Sequence, residues 1–171
     1  MDETMIILRL VHIFSGSFWV GTDLLMMLVI VPAVAALGPT GGAFMQGMQK
    51  HTRYAQLMPL ASLLTILSGV WLYTRVSDGF NRDWMESAAG LTLTIGAIAG
   101  LLAFFDGLLL IGPTMKRLDA AQHRLMASNP HPQPEMVAEL QRLKARGAFA
   151  MQSTTVLSVI SLVGMASARY M

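Results

Sequence analysis

Residues 5–31 read MIILRLVHIFSGSFWVGTDLLMMLVIV, an apolar run whose only ionisable side chains are Arg9, His12 and Asp23. At ~1.5 Å per residue, a helix of this length crosses the ~30 Å hydrocarbon core of a bilayer. A helix on the surface of a water-soluble domain would show a polar face, and this run has none. It predicts a transmembrane helix. Pro32, which cannot continue the hydrogen-bond ladder, predicts where that helix ends. Ala33-Val34-Ala35 resembles a small-residue cleavage site, but the segment opens on Asp2 and Glu3 rather than on basic residues. With three ionisable groups in its apolar block, it reads as a helix that stays and not as a cleaved signal.

Three further apolar blocks, at about 55–75, 88–112 and 148–168, complete an all-α integral membrane four-helix bundle, predicted as a single membrane domain over 1–171. Composition agrees: 54% of residues are apolar and 13% charged, and mean hydropathy is +0.54, outside the range of ordinary soluble domains. A net charge of only +2 excludes a nucleic-acid-binding surface and leaves the lipid bilayer as the first partner. The chain has no cysteine, which removes disulfides, thiolate metal sites and redox thiols, so His, Met and carboxylates are the remaining ligand types.

The connections carry the rest of the architecture. Gly38-Pro39-Thr40-Gly41-Gly42 predicts a loop, followed by an amphipathic stretch from Phe44 to Tyr54, with Lys50, His51 and Arg53, suited to the membrane interface. Lys116 to Ala127 has helical composition, Asn129-Pro130-His131-Pro132-Gln133-Pro134 breaks it, and Glu135 to Arg146 resumes it. Helices three and four are therefore expected to run beyond the membrane as a hairpin with a proline-rich tip, its arms extending roughly 15–20 Å. Lys50, Arg53, Lys116, Arg117, Arg124, Arg142, Lys144 and Arg146 fall in the first and third connections. By the positive-inside rule this extension is cytoplasmic and both termini are not. No internal repeat is evident among the four helices, and no nucleotide-binding loop, catalytic triad or zinc motif is present, so nothing supports an alternating-access transporter.

Three intramembrane polar residues remain: His12, Asp23 and, in helix three, Asp106. Ionisable groups at this depth face protein rather than lipid. The spacing of His12, Gly16, Trp19 and Asp23 places them on one helical stripe, and Gly16 leaves room beside His12 for a planar ligand or a neighbouring helix. His12 lies toward the non-cytoplasmic side, and Asp23 and Asp106 at similar depth toward the cytoplasmic side. His12 reads either as a ligand or as a helix–helix hydrogen-bonding residue. Asp23 and Asp106 read as a polar pair that meets across the helix one to three interface or shares Arg53, as acceptors for Ser, Thr or Trp donors, or as a proton or metal site. His51, His123 and His131 read as solvated residues of polar connections. The methionines include Met26, Met27, Met45, Met48, Met58, Met85 and Met165. Thioethers suit cuprous ion, but no tight Met cluster adjoins His12, and methionine is also an ordinary apolar filler.

Leu10-Val11-His12-Ile13 followed by Trp19-Val20-Gly21 resembles the first-helix signature of small bacterial membrane families that include the CopD copper-resistance proteins and the HemJ-type protoporphyrinogen oxidases. Arg53-Tyr54-Ala55-Gln56-Leu57-Met58-Pro59, continuing to Leu67-Ser68-Gly69-Val70-Trp71-Leu72, is similar to the HemJ-type second helix. The resemblance covers two helices closely and the four-helix layout across most of the chain. It implies a protein of the bacterial inner membrane in which His12 matches the first-helix His implicated in haem binding. The HemJ-type third helix carries a Lys near its start, where this chain has Ser87-Ala88-Ala89-Gly90-Leu91-Thr92. It also carries a deeper His, where this chain has Asp106.

The resulting expectation is a b-type haem- or porphyrin-binding bundle with an electron-transfer or porphyrin redox role, oxidoreductase-like if it is an enzyme. His12 would be an axial ligand in a cofactor-binding group with Gly16, Trp19 and Met165, Met165 lying at matching depth on helix four. The alternatives are a copper-handling membrane protein and a non-catalytic accessory subunit that works as a homo-oligomer or inside a larger membrane complex.

Overall fold

The computed structural model of the chain describes residues 3–128 and 133–171. Among the described residues all regular structure is helical: α1 Glu3–Ala36, α2 Pro39–His51, α3 Tyr54–Val76, α4 Arg82–Glu86, α5 Ala88–Ala127 and α6 Pro134–Tyr170. Four of these, α1, α3, α5 and α6, are long and apolar enough to cross a membrane. The protein is an all-α four-helix integral membrane bundle. Met1, Asp2 and the tip Asn129-Pro130-His131-Pro132, where the proline break is expected, lie outside the described residues.

Helix α1 does not end at Pro32. A π-helical turn at Met26–Ile30 widens the ladder so that the Val31 N–H bonds the Met26 carbonyl, and an α-helix resumes over Val31–Ala36 with the proline in its first turn. There a missing N–H leaves little unsatisfied. The same device recurs in α5, where the π turn Gly107–Ile111 precedes Pro113. Nor is 38–42 a loop throughout. Leu37 and Gly38 make the turn, Gly38 with φ +56°, and Pro39 opens α2. Gly41 lies so close to the Val34 carbonyl that a side chain there would overlap backbone.

Lipid supplies no hydrophobic drive between helices, so close packing depends on small residues. The closest helix pairs are α1 with α3 and α5 with α6, and fewer contacts join α3 to α5 and α6 to α1. Gly96 and Gly164 bring α5 and α6 together backbone to backbone, with a Cβ at Gly164 falling 2.9 Å from the Gly96 Cα. Large apolar side chains such as Ile7, Leu10, Ile13 and Phe14 face outward, as a lipid-facing surface requires. At ~1.5 Å per residue α5 and α6 are far longer than the ~30 Å core. They continue together as the expected two-armed extension, where Arg124 pairs with Glu139 at 3.1 Å and Gly147 packs on Met115. A 3.2 Å bond from Gln46 to Gln122 ties α2 to this extension.

Both hairpins close through small residues: Gly16 faces Thr65 in one, and Gly100 faces Ser161 in the other.

Candidate functional site

His12 projects from α1 onto α3. Its Nδ1 lies 2.9 Å from the Thr65 carbonyl oxygen and 3.3 Å from Ser68 Oγ. A carbonyl only accepts, so Nδ1 carries the proton, and in the neutral ring Nε2 keeps its lone pair. Ser68 donates its own proton to the Leu64 carbonyl at 2.6 Å, leaving its oxygen to accept a second share of the Nδ1 proton. Among the described residues Nε2 has no hydrogen-bond partner. The ring lies over Gly69, where a Cβ would stand 2.8 Å from His12 Cε1. Thr65, Ser68 and Gly69 therefore set both the tautomer and the position of the imidazole. Their signal was present in the sequence as small and hydroxyl residues at helical spacing on α3.

The other members of the expected stripe have structural positions. Gly16 packs on the Thr65 methyl, a Cβ there lying 3.4 Å away, and Trp19 is buried in a small cluster with Ala61 and Ala103. Met165 belongs to the other hairpin. It shares a cavity of about 300 Å³ with Val76, Trp84, Ala89, Leu93, Ala168 and Arg169, and His12 does not line it.

The two carboxyls turn toward α6. Asp106 accepts from Ser153 Oγ and, at 3.0 Å, from Thr154 Oγ1, and it faces a shallow apolar groove with Leu102, Phe105 and Leu109. Asp23 approaches α6 from another side, with Thr155 and Ser158 as its neighbouring hydroxyls and the Tyr54 phenol of α3 within electrostatic range. Asp23 Oδ2 and Ser158 Oγ are both buried without another partner, and the Ser158 hydroxyl is the donor available to the carboxyl. Helices α1 and α5 approach each other through the cluster of Trp19 and Ala103, and no hydrogen bond among the described residues joins Asp23 to Asp106, which accepts from Ser153 and Thr154 instead. Arg53 is exposed, and no ion pair among the described residues joins it to either carboxyl. The hydroxyl run from Ser153 to Ser158, unexploited in the sequence analysis, is what receives both carboxyls.

No protein-family model, curated protein or solved structure matches this chain. Among the described residues no group of three or more His, Cys, Asp or Glu side chains is placed to hold a metal ion.

Proposed function

We propose that this membrane protein binds a b-type haem through His12 and serves electron transfer or porphyrin redox chemistry. The observation that carries this reading is the Nδ1 contact to the Thr65 carbonyl, which presets the tautomer whose Nε2 lone pair can ligate iron. Backbone carbonyls behind ligating histidines commonly do this, fixing ring orientation and raising basicity. Haem needs no cluster of protein ligands, so one imidazole in a low-dielectric setting is a sufficient anchor, and the iron supplies the redox chemistry. Met165 lines a separate cavity with Val76 and Trp84, so His12 is the residue that would hold the haem.

The basic residues of the α2 segment and of the α5–α6 extension support an orientation with that end in the cytoplasm and both termini on the opposite side. The resemblance of the first two helices to the HemJ-type and CopD families supports a bacterial inner-membrane location. A visible absorption spectrum together with metal analysis of the purified protein tests the cofactor. A Soret band with stoichiometric iron is expected. Stoichiometric copper without a Soret band would favour copper handling, and neither would favour an accessory subunit.

A further inference from the structure

The cavity that Met165 lines stands at the end of the bundle opposite the α5–α6 extension, and its walls are held in place by specific contacts. Asn81 Oδ1 caps the short helix α4 by accepting from the Trp84 backbone N–H at 3.1 Å. Gly90, where a side chain would overlap the Trp84 carbonyl, lets α4 press against the first turn of α5. The Trp84 ring meets Tyr73 edge to face at 5.8 Å, and the Tyr73 hydroxyl is bonded to Thr94 at 2.6 Å. Beside this fixed indole lie about 300 Å³ walled by Val76, Ala89, Leu93, Met165 and Ala168, and Arg169, an exposed residue, completes the lining.

The side-chain N–H groups of this cavity are all of one kind. Indole and guanidinium donate hydrogen bonds and do not accept them, and no carboxylate is among the lining residues. The hydrogen bonds of Trp84 are made by its backbone, which leaves its ring N–H uncommitted among the described residues. No acid among them pairs with Arg169, whose guanidinium lies 4.9 Å from the centre of the Tyr170 ring. Apolar walls beside uncommitted donors fit a molecule with an apolar body and an anionic head. We infer that the cavity binds a long-chain fatty acid, its acyl chain along the apolar walls and its carboxylate held by Arg169 and Trp84. The volume is at the lower end for small-molecule sites, which suits one acyl chain rather than the two of a phospholipid. A guanidinium takes a carboxylate through two parallel hydrogen bonds, and the flexible Met165 thioether adapts to an alkyl chain. The site does not include His12 and does not depend on haem.

The test uses the full chain in phosphatidylcholine nanodiscs at mildly alkaline pH, in a Trp71→Phe background that removes an exposed indole. Tryptophan fluorescence is quenched by stearic acid carrying a doxyl spin label on its chain, and the methyl ester of the same molecule, which partitions into lipid without a charge, is the control. Saturable quenching by the acid is expected at mole fractions where the ester quenches little. Arg169→Gln weakens the apparent affinity for the acid about tenfold, and Ala89→Phe, which fills the cavity, removes the saturable component. Equal quenching by acid and ester, an affinity for the acid unchanged in Arg169→Gln, or displacement of the acid by an equal mole fraction of phosphatidylglycerol would each overturn the inference. Should Ala89→Phe fail to insert, the exposed Arg169→Gln variant decides.

Discussion

The His12 ring rests on Gly69 so closely that an added Cβ would stand 2.8 Å from Cε1 and 3.1 Å from Nδ1. The absence of a side chain at Gly69 is therefore what allows the imidazole to reach the Thr65 carbonyl. Gly69→Ala should push the ring off that carbonyl and release the tautomer lock. We expect haem occupancy, read as Soret absorbance per protein, to fall at least tenfold, with the protein still inserted in the membrane. Occupancy unchanged in Gly69→Ala would show that the carbonyl contact does not position the ligand.

The α5–α6 contact depends on the pair Gly96 and Gly164. A Cβ at Gly164 meets the Gly96 Cα at 2.9 Å and the Thr92 carbonyl oxygen at 3.1 Å. Both neighbours are backbone and cannot yield as a flexible side chain would. Gly164→Val should separate the helices and destabilise the bundle by about 1–3 kcal/mol, measured by unfolding in mixed micelles of rising SDS content. Gly47→Ala, where nothing lies within 4 Å of the added atom, serves as the comparison and should be nearly silent.

Asp106→Leu removes the acceptor for two hydroxyls. The loss is expected to be about 1–2 kcal/mol and no more, because Ser153 also has the Ala150 carbonyl at 3.0 Å as an alternative acceptor. Asp106→Asn keeps a carbonyl oxygen for Ser153 or Thr154 and should lose less. An Asn variant less stable than the Leu variant, by the same SDS titration, would contradict this account of the site.

The four spans and the two-armed extension were legible in the sequence because apolar length and charge placement are local signals, and lipid makes them nearly sufficient. The passage of α1 through Pro32 was not. It depends on the π turn at Met26–Ile30, whose sequence, all apolar, looks like any other membrane helix. His12 stood out as an isolated imidazole, but its partners on α3 are a backbone carbonyl, a serine and a glycine, legible only as small and hydroxyl residues at helical spacing. The orientation of the carboxyls toward α6 required knowing which helix faces each of them.

Orientation is open to a direct check. A periplasm-dependent reporter fused after Met171 should be active, and the same reporter inserted at Gly47 in α2 should be silent. The reverse pattern would invert the topology inferred from Lys50, Arg53 and the basic residues of the α5–α6 extension.

The most direct measurement of the haem claim is ligand replacement at His12. Full-length His12→Gly, purified from haem-replete cells, should lack the Soret band of the wild-type protein, and added imidazole should restore it by occupying the vacated space against Gly69 and the Thr65 carbonyl. Wild-type protein without Soret absorbance, or a band that persists unchanged in His12→Gly without imidazole, would contradict haem ligation by His12.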